Sequence, residues 1–110
     1  MDNKAAISAL AALSHERRMS VFHLLIQSGN SGLNAGAIAT ALELPPSSLS
    51  FHLTHLEQSG LISSKRRKRQ IIYSLVPKQF SDLIQFLIEK GASGDASFAD
   101  GIIARVSRPN

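Results

Sequence analysis

Apolar residues recur at helical spacing in five stretches of this chain, and a shorter region between the fourth and fifth is extended in character. Ile7, Leu10 and Leu13 predict an alanine-rich helix over residues 3–13. Ser14 is placed to cap the next helix, and Glu16 suits the positive end of that helix's dipole. There Met19, Phe22, Leu25 and Ile26 recur, Val21 and Leu24 widen the apolar face, and the pattern stops at Gln27. Ser28 to Gly32 has the composition of a loop. A short third helix is expected over 34–42 with Ile38, Ala41 and Leu42 inward. It breaks at Glu43-Leu44-Pro45-Pro46, because proline lacks an amide donor and disfavours helix before it. Pro46 can itself open a helix. The fourth helix then runs over 46–59 to Gly60, with Leu49, Leu53 and Leu56 as its buried stripe.

Leu61–Ser64 and Gln70–Leu75 read as two short strands, the second carrying Ile71, Ile72 and Tyr73. A last helix over 78–90 holds Phe80, Leu83, Ile84, Leu87 and Ile88 on one side. After Gly91 the chain turns to Ala, Ser, Gly and Asp, so 91–110 is expected to be a tail, flexible or weakly helical around Phe98, Ile102, Ile103 and Val106. The expected fold class is α+β, mostly helical, in the order α-α-α-α-β-β-α, with one domain over 1–90.

Composition narrows the chemistry. With no cysteine, disulfides, thiolate metal sites and thiol redox switches are excluded. No apolar stretch reaches membrane-spanning length and the N-terminus lacks the apolar run of a signal peptide, so a cytoplasmic protein is expected. The formal charge of +4 is modest, but its placement is not. Lys65, Arg66, Arg67, Lys68 and Arg69 are consecutive, and no acid lies between Gly60 and Val76.

The helices at 34–42 and 46–59, joined by a tight turn, have the form of a helix-turn-helix whose second helix enters the DNA major groove. The leucine stripe determines which side of that helix faces out. Ser47, Phe51, Thr54 and Gln58 follow one another on the opposite side, flanked by Ser48, Ser50 and His55. The short polar groups suit hydrogen bonds to base edges or phosphates, and Phe51 suits a thymine methyl. Lys65, Arg66, Arg67, Lys68 and Arg69 would form a basic hairpin, a wing, that neutralises phosphates and reads minor-groove shape.

These same segments resemble a known family. Leu13-Ser14-His15-Glu16-Arg17-Arg18 with Phe22-His23-Leu24-Leu25 is similar to the second-helix signature of ArsR-type winged-helix repressors. Leu49-Ser50-Phe51-His52-Leu53, with Leu56 and Ser59-Gly60-Leu61-Ile62, resembles their recognition helix and its exit, and Ile71-Ile72-Tyr73 the strand after their wing. The resemblance spans about residues 4–90. It implies a homodimer built by the first and last helices, binding pseudo-palindromic double-stranded operator DNA and repressing until an inducer releases it. It also marks departures. Asn34 and Gly36 stand where metalloid-sensing members carry thiols, and the stretch Glu89 to Gly94, where another subgroup has a cysteine pair, has none. A zinc-sensing type uses Asp and His along the last helix; Asp82 is present, but no His lies beyond residue 55. Lys68 occupies a turn that commonly holds glycine.

The remaining polar residues suggest neither catalysis nor a metal. Ser47–Ser50 would need a positioned base and acid, and His52 and Glu57 leave the same helix in different directions. His15 and His23 are separated from the other two histidines by helix breaks, and no carboxylate repeats at ligand spacing beside them. His52 and His55, three apart on one helix, leave a surface metal site as the less favoured reading. The plainer reading puts His15 near a helix start, His23 near the core, His52 beside the leucine stripe and His55 near DNA. No enzyme activity, cofactor or metal is expected. The partners are operator DNA, a second copy and, if regulation is by ligand, a small-molecule inducer. The alternatives are a winged-helix module controlled by a small organic ligand, or one that docks a protein or RNA.

Overall fold

The computed structural model describes residues 1–91 and 96–107. Helix α1 (Asn3–Leu13) begins at Asp2, whose carboxylate accepts the Ala5 amide at 2.7 Å. Its inner side is Ala6, Ala9 and Ala12 with Leu13, so neighbouring helices approach its backbone closely. Ile7 and Leu10 face outward.

Helix α2 (Glu16–Ser28) is capped by His15, not by Ser14 as expected. The amide of Ser14 is bonded to the Ala11 carbonyl and ends α1, which makes His15 the first extended residue. Its Nδ1 accepts the Arg17 amide at 3.1 Å. Val21, Phe22 and Leu25 enter the core, but Met19 and Ile26 are exposed because the buried stripe runs through Arg18 instead. His23, expected near the core, is also exposed. It follows Phe22 around the helix onto the solvent side.

A 3-10 turn (Gly29–Ser31) leads to a two-residue strand β1 (Leu33–Asn34), which the sequence had not suggested. Gly32 makes it possible. Its φ is +66°, and a Cβ there would collide with the Tyr73 carbonyl oxygen and the Ile72 side chain. Asn34 then caps α3 (Ala35–Leu42), accepting the Ala37 amide at 2.7 Å. Ile38 is fully buried and Ala39 and Leu42 pack beside it; Ala41, expected inward, is exposed. The helix closes with Glu43 at φ +52°, the Leu44 amide reaching Ala39 and the Glu43 amide reaching Thr40, a Schellman stop made without glycine.

Helix α4 (Pro46–Gln58) opens on Pro46 and buries Leu49, His52, Leu53 and Leu56. Strands β2 (Ile62–Arg67) and β3 (Gln70–Leu75) form an antiparallel hairpin, and the sheet order is β1-β3-β2. Strand β2 extends three residues further than expected, so Lys65, Arg66 and Arg67 belong to the ladder and only Lys68 and Arg69 to the turn. Helix α5 (Pro77–Gly91) follows, and Gln79 Nε2 donates to the Ser59 carbonyl at 3.2 Å, tying it to the end of α4. Phe80 meets Phe22 edge-on at 5.0 Å. Within the stretch expected to be a tail, Ala96–Val106 forms α6 against α5; Ala92 to Asp95 and Arg108 to Asn110, which the expected tail includes, lie outside the described residues. No helix is long and apolar enough to cross a membrane among the described residues.

Candidate nucleic-acid interface

The core holds α4 by one side and leaves the other free. Leu49, Leu53 and Leu56 are at most 2% exposed, and each contributes about 1.5–3 kcal/mol through burial. Helical geometry then turns Ser47, Ser50, Phe51, Thr54 and Gln58 to solvent. Phe51 is 65% exposed, its ring set edge-on against His52 and His55 at 5.8 and 6.0 Å. An apolar ring kept this far out by packing is available to another apolar surface.

The hydroxyls differ in what they offer. Thr54 Oγ1 donates to the Ser50 carbonyl at 3.0 Å, and Ser48 Oγ to the Pro45 carbonyl at 3.3 Å. Both use their proton locally and present acceptor lone pairs outward, suited to the amino group of adenine or cytosine. Ser48 and His55 are only half exposed, and His55 Nδ1 is buried with no protein partner. No side chain caps the start of α4, so amides in its first turn face outward at the positive end of the helix dipole.

The hairpin sorts the five basic residues by face. Register pairs Ser64 with Tyr73 and Arg66 with Ile71, whereas Lys65 pairs with Ile72 and Arg67 with Gln70. Strand alternation puts Ile62, Ser64 and Arg66 on one side and Lys65 and Arg67 on the other. Ile62 is buried and the Ser64 hydroxyl donates to Glu57 Oε2 of α4 at 2.8 Å, so Arg66 leaves the hairpin on the recognition-helix side. Lys68 and Arg69 form the tip, with Lys68 at φ +59°. All five side chains are exposed and none has an ion-pair partner among the described residues.

Three polar residues that sequence reasoning did not select hold this surface in place. Arg18 is 7% exposed; its Nε donates to the Ala12 carbonyl at 2.7 Å, and its Nη1 lies 3.4 Å from His52 Nδ1. Spacing could have revealed it, since 18, 22 and 25 fall on one side of α2. Glu57 connects α4 to the wing through Ser64. Tyr73 packs on the core, and burial raises its phenol above the ordinary value, with the Glu57 carboxylate adding to the effect. Burial likewise lowers His52, helped by His15, Arg18, Arg17 and His55 around it. No group of three or more His, Asp or Glu that could hold a metal occurs among the described residues.

Comparison with known proteins places these features together. A helix-turn-helix domain family matches residues 13–64. Over 82 residues the chain is 33% identical to the HTH-type transcriptional regulator YgaV of Escherichia coli (strain K12), covering 74% of this chain and 81% of that one. It is 29% identical to the transcriptional activator HlyU of Vibrio cholerae, again over 82 residues, covering 74% of this chain and 73% of that one. Among solved structures, an ArsR-like transcriptional regulator from Rhodococcus sp. RHA1 superposes with a TM-score of 0.75 at 26% identity, covering 97% of this chain and 96% of that one.

Proposed function

The chain belongs to the ArsR-type winged helix-turn-helix transcriptional regulators, without cysteine, and from that premise we propose that it is a homodimeric repressor of sequence-specific operator DNA. The observation that carries the reading is the pairing of a buried-anchored α4, outward-facing at Ser47, Ser50, Phe51 and Thr54, with an unpaired basic wing beside it. In this reading Ser47, Ser48, Ser50, Phe51, Thr54 and His55 meet the major groove, and Lys65, Arg66, Arg67, Lys68 and Arg69 hold phosphates. The dimer forms through α1 and α5, where Ile7, Leu10 and Leu87 are between 42% and 58% exposed. It sets two recognition helices roughly 34 Å apart, one DNA turn. The domain responsible is residues 1–90. The protein works in the cytoplasm and catalyses no reaction.

Binding of the full chain to its own upstream promoter and to a scrambled duplex, each at several salt concentrations, tests this. Preference for the promoter by about a thousandfold with a steep salt slope supports it. Equal weak binding to both overturns it and favours a protein or RNA partner. Repression, as opposed to activation, is read from a promoter–reporter fusion with and without the protein.

One observation favours added control by a small organic ligand. Ile84 and Ile88 of α5 and Ile103 and Val106 of α6 line an open apolar cavity of about 290 Å³, with Ser81, Gln85 and Ser107 as polar lining. A thermal-shift screen against apolar metabolites tests it, and a ligand that raises the melting temperature should also release promoter DNA.

A further inference from the structure

Arg18 and His52 form a buried polar pair between α2 and α4, and neither belongs to the outward-facing set proposed to meet DNA. Arg18 leaves α2 inside the apolar stripe and donates Nε to the carbonyl of Ala12 at 2.7 Å. That carbonyl lies in the last turn of α1, where the helix has no amide of its own to satisfy it. The guanidinium's positive charge also suits the negative end of the α1 dipole. From the same guanidinium, Nη1 reaches His52 Nδ1 at 3.4 Å on the inner face of α4. One planar, rigid group thus joins the end of α1 to the middle of α4.

The geometry requires a particular form of His52. Arg18 has only donors, so Nδ1 must accept and the ring is neutral with its proton on Nε2. The His15 ring lies against that of His52, centroids 4.7 Å apart and tilted 46°. His15 in turn uses Nδ1 to cap α2. The charged and titratable groups facing His52 are therefore Arg17 and Arg18 from α2, His15 from the α1–α2 junction and His55 from α4 itself. All are basic. Nothing there welcomes a second positive charge.

We infer that Arg18 and His52 are positioning residues for DNA reading, setting the orientation of the recognition helix α4 relative to the dimerisation helix α1. This rests on the proposed operator-binding dimer. Leu49 and Leu53 hold α4 against the core, but apolar contacts permit small rotations that a directional hydrogen bond does not. In a dimer built on α1, a rotation of α4 in each protomer changes how both helices meet their half-sites. Specific binding then falls while phosphate contact by the wing does not. Protonating His52 turns its acceptor into a donor facing Arg18, and has the same effect.

The test uses a duplex selected from a random pool by the wild-type chain, with a scrambled duplex as reference, at pH 7.5 and pH 5.5. His52→Leu removes the acceptor; His52→Asn puts an amide oxygen near the place of Nδ1 and does not titrate. At pH 7.5 the ratio of specific to non-specific affinity should fall about tenfold in His52→Leu and stay within about threefold of wild type in His52→Asn, at an unchanged salt slope. On acidification to pH 5.5 the wild-type ratio should fall, and that of His52→Asn should hold. A ratio in His52→Leu equal to wild type overturns the inference. So does an equal acid loss in wild type and His52→Asn, which decides the matter if His52→Leu does not fold. Failure to select any preferred duplex instead removes the operator-binding reading itself.

Discussion

In the operator-binding reading proposed above, the recognition helix and the wing meet the same ligand by opposite means. Helix α4 is fixed along one side by three leucines and His52, and its outer side carries short, mostly uncharged groups. The β2–β3 hairpin carries five full charges on its outer half, with no ion-pair partner among the described residues. A helix whose orientation is fixed can compare hydrogen-bond patterns, since small errors in placement lose them. A solvated cation needs no such accuracy, because counterion release depends on proximity to phosphate alone. In that reading, order is concentrated where sequence would be read and charge where the backbone would be held.

The largest effect that can break this comparison comes from beneath α4. Leu53→Ala should cost about 2–5 kcal/mol of stability in urea unfolding, because Leu53 is almost fully buried. A loss under 1 kcal/mol would mean that the core does not fix the helix. Replacing Arg66 and Arg67 together by alanine should weaken promoter and random duplex alike and lower the salt slope of the dimer by about four, two charges from each protomer, at unchanged discrimination. Ser50→Ala should do the reverse, reducing discrimination by about 1–3 kcal/mol at an unchanged slope. If both variants change the same parameter, the division between the two regions is wrong.

Smaller effects sharpen it. Lys68→Gly should stabilise the fold by about 1 kcal/mol, since φ +59° costs a side chain, while lowering the salt slope of the dimer by about two. Thermal unfolding of the wild type against pH reports on His52. Burial and its basic neighbours lower its folded pKa below the unfolded 6.5, so on acidification the unfolded chain takes up the proton first. Stability is therefore full above pH 6.5 and declines as pH falls through the folded value. His52→Asn should show a shallower decline.

Much of this was legible in the residue pattern. Five helical stretches, the proline break, the hairpin and its basic run all follow from local spacing, and all occur close to where spacing puts them. Where the reading went astray, a non-local partner decided. Ser14 and His15 are both competent caps, and only the end of α1 assigns the role to His15. Met19, Ile26 and Ala41 fit their apolar stripes by type, yet neighbours cover the other side of each helix. Strand β1 has two residues and no signal of its own; it exists because Gly32 lets the chain approach β3.

The sequence by itself determined that this chain forms a helix-turn-helix followed by a basic hairpin, because hydrophobic period and proline chemistry act within a few residues. It also determined that no thiol can sense a metal here, which composition alone decides. Only the tertiary structure put Arg66 on the α4 side of the wing, joined Glu57 to Ser64, and brought Arg18 from α2 against His52 of α4. Those relations link residues far apart in the chain. Hydrogen bonding and burial between them depend on distances that no local pattern encodes.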